Sequence, residues 1–199
     1  MDVTEVILRD HEWFRRQFIA LFDHAGEPSP DIAAIEAVWT PLADRLDVHA
    51  AAEEEIFYPQ LLARGEDDPE DETLDAIGDH NDIRDGVRDA ARHQVASEPW
   101  WAAVLQTRKA NDEHMAEEER EGIADFRQHA APELRERLGH ELENYLDRHP
   151  TTEGVDTEDK DPEQYVDEIE SELHPNDDAS RERRTDGSLG IGSLRGQRA

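Results

Sequence analysis

Apolar residues recur at steps of three and four along most of this chain, which is the spacing of one face of an α-helix. The pattern predicts five helices, at about residues 3–24, 31–63, 74–95, 97–126 and 134–146. Pro41 and Pro59 fall inside the second helix and are expected to kink or fray it. Gly, Pro and acidic residues at 26–30 and 65–72 indicate short connecting turns.

Short turns between long helices favour antiparallel neighbours. The predicted fold class is therefore all-α: an up-down-up-down four-helix bundle over residues 1–148, with an extra C-terminal helix from Leu134 to Leu146. Residues 149–199 form a second unit, an acidic tail that is predicted to be largely disordered because it has too little apolar surface to offset ordering. Within the tail, a short helix over 162–173 and a weak apolar spot at 189–194 are expected. The tail is predicted to be dispensable for any site in the bundle.

The formal net charge is -30, from 51 acidic against 21 basic residues. Molar salt screens such self-repulsion, so the charge favours a halophile with high internal salt; a mesophilic protein with an acidic tail is the alternative.

No basic face for nucleic acid is expected. No stretch approaches the ~20 apolar residues of a membrane span, and the N-terminus lacks a basic leader, so a cytoplasmic protein is predicted. Without cysteine, disulfides and thiolate ligands are excluded.

Each of the first four predicted helices carries one histidine on its apolar stripe, and two of these histidines have a glutamate four residues later, on the same helical face. The candidate metal ligands are His11, His49, Glu53, His80, His114 and Glu118. In an antiparallel bundle His49, His80 and His114 fall at similar heights, within about one turn, and His11 fits less closely, a difference that a kink at Pro41 could absorb. A lone histidine on an apolar face is more often a core residue, but two ionised glutamates in an apolar core require a compensating cation or proton.

The spacing alone is weak evidence, because glutamate is abundant and His129 and His149 also have a glutamate at the fourth following residue. Pro132 and Pro150 interrupt those two segments. Imidazole and carboxylate together suit iron, zinc or manganese.

The chain resembles the hemerythrin-like, or HHE cation-binding, family over residues 1 to about 147. The resemblance rests on Asp10-His11, on HAAAEEEIFYP from His49, on DHNDIR from Asp79, and on HMAEE from His114. It implies two iron ions in the bundle, with an oxo or hydroxo bridge possible between them. In that arrangement His11 and His49 cap one iron, His80 and His114 cap the other, and Glu53 and Glu118 bridge.

This sequence departs from the oxygen-carrying hemerythrins at two positions. Arg84 stands where the third helix of those proteins has a second histidine, and the last carboxylate is a glutamate four residues after its histidine instead of an aspartate at five. The resemblance implies a more open site, as in sensory and regulatory members.

The expected function is non-haem di-iron binding, with O2, NO or peroxide as a small ligand, or iron holding. An iron-sulfur-cluster repair or di-iron redox enzyme is the alternative, although such members carry an N-terminal cysteine domain. A structural bundle without metal is the third possibility.

Overall fold

The computed structural model describes residues 1–26 and 29–175, and within these ranges the protein is all-α. Its helices are α1 (Val3–Phe22), α2 (Ile32–Ala52), a π-helical segment (Glu53–Phe57), α3 (Tyr58–Arg64), α4 (Pro69–Ala90), α5 (Glu98–Arg120), α6 (Gly122–His129), α7 (Pro132–Arg148) and α8 (Pro162–Leu173). The predicted fold class is confirmed. Four rods build the bundle, namely α1, α2 with the π segment and α3, α4, and α5 with α6.

Side-chain caps begin several of these helices where the sequence indicates. Asp2 caps α1 in a capping box with Glu5, and Asp31 accepts a hydrogen bond from the backbone N–H of Ala34 at the start of α2. Ser97 caps α5 as expected, accepting from the N–H of Trp100. Such caps satisfy backbone donors that have no partner within the helix.

Two separate apolar clusters fill the bundle, and polar residues lie between them along the helices. On α1, His11 lies between Ile7 of one cluster and Phe14 of the other. On the second rod, His49 lies between Leu46 and Ala52, which also belong to opposite clusters. The core therefore consists of two apolar ends that enclose a polar layer, and this layer holds the candidate site.

The second rod is continuous, as predicted, with Pro41 inside α2, and it widens into a π-helical turn just before Pro59. Pro59 has no N–H and its ring would collide with the carbonyl of residue 55 in regular α geometry. The π segment immediately before it relieves this conflict. The fourth rod differs from its prediction, because Glu121 leaves helical geometry (φ -115°, ψ -82°) and separates α5 from α6.

The described part of the predicted tail, residues 149–175, packs more closely against the bundle than expected. The expected short helix is present as α8, which packs against α4 and α3, and Val166 is only 3% exposed. The predicted apolar spot at 189–194 lies outside the described residues. A domain boundary at residue 148 stays a prediction. In the described part of the chain, the helices that are long enough to cross a membrane are too polar to do so.

Candidate metal centre

The six residues predicted from the apolar stripes meet in the polar layer between the two apolar clusters. All are buried, with at most 4% of their surface exposed: His11, His49, Glu53, His80, His114 and Glu118. Ligand-type atoms of His11, His49 and Glu53 lie within 4.8 Å of one another, and so do those of Glu53, His80 and His114. The two groups share Glu53.

The carboxylate of Glu53 lies between two pairs of histidines. Its Oε1 is 2.9 Å from Nε2 of His49, while its Oε2 is 3.4 Å from Nε2 of His80 and 4.0 Å from Nε2 of His114. The Nε2 atoms of His80 and His114 are 3.3 Å apart. One oxygen therefore faces each side, which is the placement that a carboxylate shared by two cations requires.

Glu118 lies beside His11 but belongs to neither of the two groups of converging ligand atoms. Its Oε2 is 3.2 Å from Nε2 of His11, and its Oε1 accepts a hydrogen bond from the hydroxyl of Tyr58 at 2.9 Å. Tyr58 is the aromatic residue directly before Pro59, and the π-helical turn brings its hydroxyl into the core. Tyr58 lies in the HAAAEEEIFYP motif, but the spacing of that motif predicts no role for it.

Several of these buried atoms approach each other closely without forming hydrogen bonds. The atoms without a hydrogen-bond partner include Nε2 of His11, Nε2 of His49, both carboxylate oxygens of Glu53 and Oε2 of Glu118. Each such atom costs on the order of 1–3 kcal/mol when buried, and more when charged. Nitrogen and oxygen atoms that converge without donating to each other fit a shared cation, so the donor set is suited to a metal.

A second layer of carboxylates lies behind the histidines, at their Nδ1 atoms. Nδ1 of His80 is 2.8 Å from Oε1 of Glu54, and Nδ1 of His11 is 2.9 Å from Oε1 of Glu119. The other two contacts are longer, with Nδ1 of His49 at 3.3 Å from Asp10 and Nδ1 of His114 at 3.7 Å from Asp79. A carboxylate at Nδ1 favours a proton there and leaves Nε2 free as a ligand atom.

These four contacts run in one direction around the bundle. The carboxylate on each rod faces the histidine on the next rod along the chain, and the carboxylate on the fourth rod faces the histidine on the first. The pairs are Asp10 with His49, Glu54 with His80, Asp79 with His114, and Glu119 with His11. In every case the supporting carboxylate is the sequence neighbour of a candidate ligand on its own helix. Asp10 therefore serves His49 instead of His11, its neighbour in the sequence motif.

Arginines hold three of the four supporting carboxylates. Arg45 donates two hydrogen bonds to Asp10, at 3.0 and 3.1 Å, and Arg15 donates to Glu119 at 2.8 Å. Arg84, which is 1% exposed, donates to Glu54 at 2.8 Å. Arg84 thus supports His80 through Glu54.

Two runs of three glutamates, 53–55 and 117–119, contain Glu53 and Glu118, and helical periodicity predicts that the other members are mostly solvated. This prediction is wrong for Glu54 and Glu119. The Glu54 side chain is 1% exposed and that of Glu119 is 29% exposed. The π-helical turn brings consecutive glutamates into the core, which helical periodicity alone does not predict. Glu55 and Glu117 are exposed as expected.

The electrostatic field in the layer is strongly negative. Burial disfavours the charged form of His49, but Glu53 and Asp10 outweigh burial and raise its pKa to about 10. Burial opposes ionisation of Glu54 as well, yet His80, Arg84 and Lys160 lower its pKa to about 2. A field that stabilises protonated imidazole also attracts a metal cation.

A cavity of about 110 Å³ leads from the surface to one side of this layer. Its inner wall contains Tyr58, His114 and Glu118, and its outer wall includes the acidic side chains of Glu72 and Asp79. A water molecule needs roughly 10–15 Å³ measured in this way, so the space admits a few small molecules. Its acidic outer wall favours cations over anions.

Comparison with known proteins places this site in a family. The family model described as the hemerythrin HHE cation binding domain matches residues 2–124, which include all six candidate ligands. No curated protein and no solved structure matched the chain significantly. The matched region covers more than half of the chain and contains the four bundle rods up to the start of α6, so the protein belongs to the hemerythrin HHE cation-binding domain family.

Proposed function

We propose that this protein binds two iron ions in the polar layer of the bundle. His11 and His49 hold one ion, His80 and His114 hold the other, and Glu53 and Glu118 are shared. One observation carries the proposal: both oxygens of the buried Glu53 lack hydrogen-bond partners and face different histidines. One cation on each side of Glu53 would compensate both oxygens.

The choice of iron rests on ligand chemistry and on the family. Four imidazoles and two carboxylates are borderline to hard ligands, which suit iron, zinc or manganese. An iron pair, when bound, supplies reversible electron exchange and an open position for a small ligand. The supporting carboxylates fix the imidazole orientation, and the two apolar clusters exclude bulk water from the ends of the site.

The proposed small ligand is O2, NO or peroxide, and the proposed role is binding or sensing, or the holding of iron. The cavity beside His114 and Glu118 supports this assignment, because its volume of about 110 Å³ suits a diatomic molecule and is too small for a metabolite. Arg84 supplies no ligand atom in this proposal, which leaves the His80 side more open than in the oxygen carriers.

The metal proposal is tested by elemental analysis of the full chain after anaerobic loading with ferrous iron. We expect two irons per chain in the wild-type protein. The variants Glu53→Ala and Glu118→Ala should lose both ions, because each carboxylate is shared. Glu55→Ala is the matched control, since Glu55 lies in the same acidic triplet as Glu53 but is exposed, and it should keep both ions.

Two results would contradict the proposal. Wild-type protein that stays free of iron after loading would exclude a di-iron function. Full occupancy in Glu53→Ala, with circular dichroism unchanged, would show that the ions bind somewhere other than the polar layer.

A further inference from the structure

The chain after α7 returns to the bundle and lies over the outside of the metal layer. We define residues 150–173 as the C-terminal strap. It ends in α8, which packs on α4 and α3 and buries Val166. Arg88 of α4 anchors it through the carbonyl of Thr157 and the carboxylate of Asp159. The strap was expected to be irrelevant to the site, so its contacts there were not foreseen.

Two strap residues converge on Glu54, the carboxylate that supports His80. The ammonium group of Lys160 donates a hydrogen bond to Oε2 of Glu54. The other oxygen, Oε1, accepts a hydrogen bond from Arg84 and lies 2.8 Å from Nδ1 of His80. The hydroxyl of Tyr165 donates to the backbone carbonyl of Glu54. Both ends of this buried glutamate are therefore held by the strap.

The Tyr165 contact compensates for a defect that the sequence creates in the second rod. In the π-helical register, the carbonyl of Glu54 would pair with the N–H of residue 59, but residue 59 is proline and has none. A buried carbonyl without a donor costs on the order of 1–3 kcal/mol. The hydroxyl of Tyr165 supplies the missing donor, so the strap stabilises the turn that carries Glu53 and Glu54.

The backbone of Lys160 is fixed beside His80 by two hydrogen bonds. The side chain of Asn81, the residue after His80, donates to the carbonyl of Lys160 at 2.7 Å and accepts from its N–H at 3.0 Å. This pair of bonds fixes the strap backbone beside the histidine that Glu54 supports. The position of the ammonium group is thus determined by the same helix as the metal ligand.

We infer that Lys160 and Tyr165 are positioning residues for the His80 side of the metal centre, so that docking of the strap sets how tightly this side binds its cation. The inference rests on the proposed function. Without Lys160, Oε2 of Glu54 would be a buried oxygen without its cation, and the carboxylate could rotate away from His80. The supports of His49 are Asp10 and Arg45, which do not contact the strap. Loss of Lys160 should therefore weaken cation binding less on the His11/His49 side than on the His80 side.

The chain offers a matched set of variants because it has two lysines. Lys160→Met removes the charge and keeps the length, Lys160→Arg restores a cation, and Tyr165→Phe removes only the hydroxyl. Lys109→Met is the control, since Lys109 pairs with Glu113 on the exposed surface of α5. All are made in the full chain and studied in molar potassium chloride, with thermal unfolding recorded by circular dichroism.

The first readout requires no metal. Nitrogen-15 NMR of the imidazoles reports the Nδ1 proton of His80, which should exchange slowly with water in wild-type protein and at least about tenfold faster in Lys160→Met and Tyr165→Phe. The second readout is anaerobic titration with ferrous iron. Loss of a support behind a ligand costs about 10–100-fold in metal affinity, and we expect that loss for one of the two irons in Lys160→Met. Lys160→Arg should recover most of both effects.

The outcomes separate this inference from the proposed function. Wild-type protein that binds no iron would refute the di-iron function, while the imidazole exchange would still decide whether the strap positions His80. If wild-type protein binds two irons and Lys160→Met matches Lys109→Met in exchange and affinity, the inference is overturned. Equal losses for both irons in Lys160→Met and Lys160→Arg would also overturn it, since this would indicate a general loss of stability.

Discussion

The Nδ1 atoms of His80 and His11 hydrogen-bond to carboxylates behind the site, whereas those of His49 and His114 face carboxylates at longer distances. Asp10 is firmly held although its contact with His49 is long, because Arg45 binds both of its oxygens and its Oδ2 lies 3.3 Å from Nδ1 of His49. A bidentate arginine fixes the carboxylate plane as well as its charge. The centre is thus preorganised by contacts between helices and not by the cation alone.

Replacing Asp10 with Asn should weaken metal binding on the His11/His49 side. The amide keeps the shape of the side chain but loses the charge that favours a proton on Nδ1 of His49 and pairs with Arg45. We expect about a 10–100-fold loss of affinity for one of two ions, measured by ferrous iron titration. Glu12→Gln, on the exposed face of α1, is the control and should match wild type. Unchanged affinity in Asp10→Asn would show that the support is not needed.

The six candidate ligands could be identified from the sequence because each lies on an apolar stripe, where an ionisable group is unusual. Their supports could not, because periodicity describes one helix at a time and each support acts on the next helix. Asp79 follows this rule, since it precedes His80 but faces His114. Glu54 was missed for a second reason, namely that the π-helical turn changes which residues face inward.

Helices α4 and α5 approach each other closely at Gly86. A Cβ atom there would lie 3.1 Å from the Cα atom of Thr107 and would also collide with its hydroxyl group. The hydroxyl of Thr107 donates to the carbonyl of Ala103 within α5, so it cannot move freely. The close packing of this helix pair fixes the separation of His80 from His114.

Gly86→Ala and Gly78→Ala form a matched pair on α4, with opposite expected effects. Gly86→Ala should destabilise the protein by about 1–3 kcal/mol, because the added methyl group overpacks the helix interface. Gly78 has open space around the position of a Cβ, so Gly78→Ala should stabilise by about 0.5–1 kcal/mol through helix propensity. Denaturant unfolding of both variants measures the two changes. Similar stability for the two variants would contradict the close approach.

The break between α5 and α6 illustrates what helical periodicity cannot predict. The apolar stripe continues through Ile123 and Phe126, so a single helix was expected, but Glu72 of α4 accepts a hydrogen bond from the N–H of Gly122 at 3.2 Å. Glu72 caps the new helix from another rod. Burial, together with the nearby Glu121, raises the pKa of Glu72 to about 8.

This pKa predicts a specific pH dependence of stability. The folded state holds a proton on Glu72 that the unfolded chain releases above its ordinary pKa of 4.5. The stabilisation of the folded state by this proton is therefore complete below pH 4.5, and it is lost as the pH rises from 4.5 to about 8. Glu72→Gln mimics the protonated form and should unfold at higher temperature than wild type at pH 8, in metal-free protein at constant salt. Glu70→Gln, at an exposed position, is the control and should not raise the unfolding temperature at pH 8. If both variants raised it equally, Glu72 would be excluded as the cause.

At the scale of the whole molecule, acidic residues exceed basic ones by 30, and four of the basic side chains pair with carboxylates next to the metal layer. Arg15, Arg45, Arg84 and Lys160 pair with carboxylates behind the histidines. Only Arg84 of these four is fully buried, and the other three side chains are partly exposed. Helix α1 is neutral, with three acidic and three basic residues, so the excess negative charge lies on the other three rods and outside the rods, where its repulsion opposes the compact bundle.

Salt should therefore stabilise the whole bundle. Exposed charges are screened within about 3 Å at molar ionic strength, whereas the buried pairs behind the histidines are screened much less. We expect the full chain to lose helical circular dichroism below a few tenths molar potassium chloride and to regain it above about one molar. Sucrose at matched osmolality is the control, and it should not substitute for salt if screening is the cause. A chain that keeps its full helical signal in salt-free buffer would refute the halophile interpretation and leave the alternative of a mesophilic protein with an acidic tail.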